Sequence, residues 1–283
     1  MTSDAVIFIP GIKGSKLVET NRAPFDTLWS GIQSNFETID HLELTLGRNR
    51  AYFDERIESI IRAGEIEELA YAEFLRDLDT RKPRFIFNYD WRYSADYNGA
   101  RLAEFVSLLI EKSAASKGVQ KFETFDFITH SLGNFVLRNY LLREGTARLG
   151  KAVLTVPPFR GSIDIVSAAL IGEGFFPNVK ATIRKLIRGM PGALELLPSY
   201  IGASRFKPSG KHSFFNFNHW QGNITGGKAA EVAKMKRALA DARAVVRGRL
   251  LDLATLPAEL RERILIIARH GYENTYRRLR GHT

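Results

Sequence analysis

The 283-residue sequence predicts an α/β fold: a mostly parallel central sheet with flanking helices. Three observations predict it. Short apolar runs rich in β-branched residues alternate with segments whose apolar residues recur at helical spacing. Those runs stop at loops rich in glycine and proline, the ends at which parallel sheets gather their reactive groups. Finally, the stretch Phe125-Asp126-Phe127-Ile128-Thr129-His130-Ser131-Leu132-Gly133-Asn134-Phe135-Val136-Leu137-Arg138 runs from strand through a tight turn into helix with no spacer.

Composition bounds the class. With 45% hydrophobic and 25% charged residues the chain reads as globular, large enough for one big domain or a domain carrying an insertion. It has no cysteine, which excludes a disulfide framework and any thiolate nucleophile or metal site. The start, Met1-Thr2-Ser3-Asp4, leads straight into an apolar strand without a basic segment, and no apolar run reaches membrane-spanning length. A cytoplasmic location is therefore expected. The formal charge of +10 favours anionic surfaces, so peripheral contact with an anionic membrane is one expectation and a solvated basic surface the other. No zinc-finger spacing or aromatic RNA-binding signature supports nucleic acid as a partner.

Taken in order, Val6-Ile7-Phe8-Ile9 is a continuous apolar run, as a strand buried on both faces requires. Pro10-Gly11-Ile12-Lys13-Gly14-Ser15 stops it, and the two glycines allow backbone amides to turn into a cleft. From about Leu17 to Thr45 the chain reads as irregular, with Trp29 as apolar bulk that lines an acyl pocket, lies at a lipid interface or anchors the loop onto the core. Ile57, Ile60, Ile61, Ile66 and Leu69, then Phe74, Leu75 and Leu78, suggest two short helices broken near Gly64. Arg84-Phe85-Ile86-Phe87 is a second strand, and Tyr89-Asp90-Trp91-Arg92 a rigid polar-aromatic turn in which Asp90 and Arg92 pair or cap the next helix. That helix carries Leu102, Phe105, Val106, Leu109 and Ile110 on one face.

Ser131 is the candidate nucleophile. A serine on a strained strand-to-helix turn holds its hydroxyl clear of both elements, and the pattern expected there is Gly-x-Ser-x-Gly. Gly133 keeps the second glycine, while Thr129 stands in place of the first, where a small side chain is needed. The plain structural alternative is that Ser131 caps the helix. Beyond it, Ala152-Val153-Leu154-Thr155-Val156 forms another strand, ended by Pro157-Pro158-Phe159-Arg160-Gly161-Ser162.

From Ile165 to Pro257 the sequence reads as a cap or lid inserted before the late strand, loosely built and apolar in its first part. Within it, Phe214-Phe215-Asn216-Phe217-Asn218-His219-Trp220 is either an acyl-binding surface or core packing. A helix from about Lys228 to Leu253 sets Val232, Met235, Leu239, Ala242, Val246 and Leu250 on one stripe; at 1.5 Å per residue it would be about 39 Å long. Its lysines and arginines would lie on anionic lipid or face water. Ile264-Leu265-Ile266-Ile267-Ala268 is the late strand. The expected division is a core over 1–164, a cap over 165–257, and a late core segment over 258–283.

Pro10-Gly11-Ile12-Lys13-Gly14-Ser15, Tyr89-Asp90-Trp91-Arg92, His130-Ser131-Leu132-Gly133, Pro158-Phe159-Arg160-Gly161-Ser162 and Leu196-Leu197-Pro198-Ser199 stand in an order and spacing that resemble the lecithin:cholesterol acyltransferase family. That family includes phospholipid:diacylglycerol acyltransferases and lysosomal phospholipases with transacylase activity. The resemblance implies an α/β-hydrolase fold and acyl transfer from a lipid ester to an alcohol or water. It implies Ser131 as nucleophile, the backbone N–H groups of Ile12 and Leu132 as oxyanion donors, and no metal or organic cofactor.

It also implies an acid and then a histidine late in the chain. The family's Asp-Gly loop and following histidine find no match before Thr283, so a fragment, a second chain that completes the site, or a damaged site are the readings left open. Asp126 is too far along its strand to serve; Asp164 and Glu273 are the acids nearer the correct edge. His130, His212, His219, His270 and His282 leave the base unassigned. A non-catalytic binding or scaffold protein of the same fold is the alternative function.

Overall fold

The computed structural model describes residues 4–19, 26–29, 61–78, 81–172, 180–200, 213–220, 224, 228–247 and 257–268, with backbone alone at 26–29, 180–183 and 247. Its centre is a five-stranded, all-parallel sheet of β1 (Ala5–Ile9), β5 (Arg84–Ile86), β6 (Phe125–His130), β7 (Leu149–Thr155) and β8 (Ile264–Ile267). The spatial order is β5-β1-β6-β7-β8. Each of the five strands overlaps an apolar run of the sequence; β7 begins at Leu149, ahead of the expected Ala152, and ends at Thr155, which leaves Val156 outside it. Every residue of β1 is buried, as expected for an inner strand covered on both faces. Burial thins toward β8, where Leu265 and Ile267 are exposed.

Helix α2 (Ala95–Ala115) and α3 (Gly133–Glu144) pack together against this sheet. The start of α2 is set by the sequence, whereas α3 begins after Leu132 without a side-chain cap. Ser94 caps α2, its hydroxyl accepting from Tyr97 N at 3.1 Å, and Asp96 adds an acidic group in the first turn. The cap of α2 is therefore Ser94, while Asp90 and Arg92 pair with each other. Apolar side chains of α2 and α3, among them Leu102, Val106, Phe135, Val136 and Tyr140, join those of β1 and β6 in one core.

A second, three-stranded antiparallel sheet was not anticipated. Strands β2 (Ser15–Glu19), β3 (Asp26–Trp29) and β4 (Ile61–Ile66) occur in the order β3-β2-β4. Two expectations are corrected by it. The segment after Leu17 is not wholly irregular, and the residues around Gly64 are strand rather than a helix break. Of the isoleucines that mimic helical spacing, Ile61 and Ile66 instead serve a strand whose pairing with β2 shifts register between Ser15 and Leu17. Helix α1 (Glu68–Asp77) follows at once, in place of the second of the two short helices expected. Residues 53–60, with Ile57 and Ile60, lie outside the described residues.

Between β7 and β8 come α4 (Ile163–Ile171), α5 (Lys180–Gly189), α6 (Pro191–Leu194), α7 (Ala229–Arg247) and α8 (Ala258–Arg261). The first part of this insertion is not loose where it is described: Leu186, Ile187, Met190, Ala193, Leu194, Leu196 and Leu197 are all buried. Its docking is polar as well. Gly192 N donates to Arg92 O at 3.1 Å, Ser162 N to Leu196 O at 2.7 Å, and Ala95 N to the buried Glu195 carboxylate at 2.8 Å. That carboxylate at the start of α2 also complements the helix dipole. In α7 the stripe Met235, Leu239, Ala242 and Val246 is buried, with Lys236 and Arg237 exposed. Among the described residues, no helix is long and apolar enough to cross a membrane.

Candidate active site

Among the described residues, three that are not glycine have positive φ: Lys13 at 63°, Ser131 at 50° and Val156 at 45°. All three follow the carboxyl ends of neighbouring strands, β1, β6 and β7. Non-glycine residues seldom adopt this conformation, and for the β-branched Val156 it is especially costly. Strain of this kind persists only where surrounding structure imposes it, and it concentrates at functional sites.

The turn at Ser131 is closed by its neighbours. Ser131 N donates to Thr155 O at 3.0 Å, and Asn134 N donates back to Ser131 O at 3.1 Å. The Asn134 side chain completes the closure, its Nδ2 donating to Ser131 O at 2.8 Å and to Thr155 O at 3.1 Å. Thr129, fully buried, donates its hydroxyl to Asn134 Oδ1 at 2.6 Å. The residue standing in place of the first glycine is thus absorbed through a polar contact with Asn134. This use of Asn134 escaped the sequence reading, although the residue lies inside the stretch that was singled out.

Gly133 has no such freedom. A Cβ there would stand 2.5 Å from Ile9 O and 2.6 Å from Pro10 O, because the first turn of α3 presses on the end of β1. Gly133→Ala is expected to cost about 1–3 kcal/mol through overpacking against backbone, read as a lowered midpoint in urea unfolding. An unchanged midpoint would contradict this close approach.

The loop after β1 reaches the same place. A Cβ on Gly11 would lie 2.9 Å from Ser131 Cβ and 2.9 Å from His130 Nδ1. The loop is braced from behind by the Tyr-Asp-Trp-Arg turn. Tyr89 Oη donates to Pro10 O at 2.9 Å, Tyr89 N to Ser15 Oγ at 3.2 Å, and Trp91 Nε1 to Ser15 O at 3.0 Å. Asp90 and Arg92 keep the turn rigid through a buried pair, with Nη2 2.5 Å from Oδ2 and Nε donating to Oδ1 at 2.9 Å. Among the described residues, the Ser131 hydroxyl and the N–H groups of Ile12 and Leu132 make no hydrogen bond within the protein.

From α1, Tyr71 Oη accepts the Gly11 N–H at 3.0 Å and lies 2.8 Å from His130 Nδ1. Burial holds the His130 imidazole below its usual pKa of 6.5. The folded state therefore binds the proton less readily than the unfolded chain. The resulting stability is present in full above pH 6.5 and lost as pH falls from there through the depressed folded value. Urea midpoints should fall over that window in the wild type, and fall less in His130→Gln. Equal slopes would remove His130 as the cause.

The other sequence candidates separate clearly. Asp126 is committed to structure, accepting from Lys82 Nζ at 2.7 Å and Lys151 N at 2.7 Å. Asp164 is exposed in the first turn of α4. His219 accepts from Ser213 N at 2.9 Å and meets Asn216 Nδ2 at 3.2 Å, closing its own local turn. Neither His130 nor His219 bonds Ser131. His212, His270, His282 and Glu273 lie outside the described residues, as does the side chain of Trp29, whose backbone belongs to β3. A cleft of 770 Å³ opens between β4, the end of β5 and α2, and Ser131 is not among its lining residues. Among the described residues, no group of three acidic or histidine side chains is placed to hold a metal.

A parallel α/β sheet, a strained serine between its central strand and helix, and a glycine loop pressed against that serine define an α/β-hydrolase-type protein. The family described as lecithin:cholesterol acyltransferase matches residues 76–245, more than half of the chain, and the chain belongs to that family. Its broad class is accordingly that of lipid acyltransferases and esterases. No curated protein matches the sequence. Among solved structures, the chain is similar to one in the crystal structure of the Tle4-Tli4 complex, with 13% identity over 86% of this chain and 72% of that chain and a TM-score of 0.49.

Proposed function

We propose that the protein transfers acyl groups from a lipid ester through an acyl-enzyme on Ser131. One observation carries the reading: the strained Ser131 stands against the Gly11 loop, with its hydroxyl and the Ile12 and Leu132 amides uncommitted within the described structure. In the first step Ser131 Oγ bonds to the ester carbonyl carbon while a histidine base takes its proton. The negative charge that develops on the carbonyl oxygen is met by the N–H groups of Ile12 and Leu132. The carbon–oxygen bond to the leaving alcohol then breaks, and the base returns its proton to that alcohol. Water or a second alcohol attacks the acyl-serine in the same manner, releasing a fatty acid or a new ester. The base and its acid partner are left unassigned, as neither His130 nor His219 bonds Ser131.

The core over 1–164, the cap over 165–257 and the late core segment over 258–283 are the proposed division of labour, with the cap covering the acyl chain. The reading is tested with phospholipid carrying a labelled acyl chain, in mixed micelles with and without a long-chain alcohol. Labelled fatty acid or labelled ester is expected. A folded, full-length protein that yields neither product from any lipid ester supports instead the non-catalytic binding role.

A further inference from the structure

The peptide units on both sides of Gly11 are held. On one side its N–H donates to Tyr71 Oη at 3.0 Å, and on the other its carbonyl accepts from Gly14 N at 3.0 Å. In a trans peptide the N–H points opposite to the C=O. Fixing Gly11 O therefore fixes the direction of the Ile12 N–H. The second anchor is the phenol of Tyr71, sixty positions away in sequence and 8% exposed. Its ring packs edge-on against Phe8, with centroids 5.1 Å apart, and against His130 at 5.7 Å.

A phenol carries a single proton. Tyr71 Oη accepts from Gly11 N, and His130 Nδ1 stands 2.8 Å from it, within reach of the phenol's own proton; a neutral imidazole that accepts that proton's bond at Nδ1 is protonated on Nε2. One buried hydroxyl thus joins the loop after β1 to the last residue of β6, immediately before Ser131. We propose that Tyr71 is the positioning residue of this site: acting through Gly11 and His130, it holds the Ile12 N–H in register with Ser131. This rests on the acyl-enzyme reading above and adds to it a residue from outside the parallel sheet, on the helix that follows the small antiparallel sheet.

The test uses Tyr71→Phe in the full chain, which keeps the ring and removes the hydroxyl. With a soluble p-nitrophenyl ester, kcat is expected to fall roughly 10- to 100-fold, part of the cost of losing one oxyanion donor, while KM stays within about twofold. Affinity for a boronic acid, which mimics the tetrahedral intermediate, should fall by the same factor as kcat. The fraction of enzyme titrated by a fluorophosphonate at completion should not change. In wild-type protein, the nitrogen resonances of His130 should show Nδ1 as acceptor and Nε2 protonated.

Wild-type kcat and boronate affinity in Tyr71→Phe, with Ser131 labelled in both proteins, would overturn this proposal and leave the acyl-enzyme reading standing. So would a rate loss matched by a loss of titratable enzyme, or a wild-type His130 protonated on Nδ1. A wild-type protein that neither labels nor turns over ester would overturn both.

Discussion

Ser131→Ala is expected to lower ester turnover by about 10⁴-fold or more with little change in stability. The hydroxyl makes no hydrogen bond among the described residues, so its removal leaves no buried partner unsatisfied. The turn should survive because the contacts that hold it are backbone groups of Ser131 together with Asn134 and Thr155. Alanine at a φ of 50° is strained as serine is, so the variant reports chemistry rather than collapse. The size of the loss follows from covalent catalysis: without the nucleophile, only binding and oxyanion stabilisation remain. Initial rates with a soluble ester and urea midpoints measured side by side check the two halves. A variant that retains a tenth of the rate would place the chemistry elsewhere.

The largest effect on stability is expected from Arg92→Leu. Arg92 is 2% exposed, and its guanidinium meets Asp90 through both Nε and Nη2. Removing it leaves a carboxylate buried without its counter-charge, a loss of about 3–5 kcal/mol. That is a large share of the 5–15 kcal/mol that holds a typical domain together. Replacing Asp90 as well should recover much of the loss, because desolvation of an unpaired ion, rather than the pair itself, dominates the cost. Urea unfolding of Arg92→Leu and of Asp90→Leu/Arg92→Leu separates the two terms. A single variant within about 1 kcal/mol of wild type would show that the pair does not brace this turn. The same turn anchors Pro10 and Ser15 through Tyr89 and Trp91, so the destabilised variant should also lose activity beyond its loss of folded protein.

The parallel sheet was legible because each of its strands holds a short apolar run: β1 and β8 are apolar throughout, and β5, β6 and β7 carry Phe85-Ile86, Phe127-Ile128 and Ala152-Val153-Leu154. The strand-turn-helix at Ser131 was legible for a related reason: the residues that make it are consecutive. The small antiparallel sheet was not. Its strands carry Lys16, Glu19, Arg62 and Glu65 among their apolar residues, and the isoleucines before Gly64 imitate helical spacing. Pairing partners such as Leu17 and Ala63 lie far apart in the chain, so no local pattern announces them. The same limit hid Tyr71, whose importance is a contact across sixty residues, and Glu195, which reaches back one hundred positions to Ala95. Thr129 shows the converse. It departs from glycine where a small side chain is needed, and its hydroxyl finds Asn134 so that the turn closes around it.

The central claim is that Ser131 is an activated nucleophile facing a developing oxyanion. The most direct measurement treats the folded, full-length protein with a fluorophosphonate probe and maps the adduct by peptide mass spectrometry. The account predicts one adduct per chain, on Ser131, absent from Ser131→Ala and from unfolded protein. A folded wild-type protein that stays unlabelled, or an adduct on another serine that persists in Ser131→Ala, would contradict it.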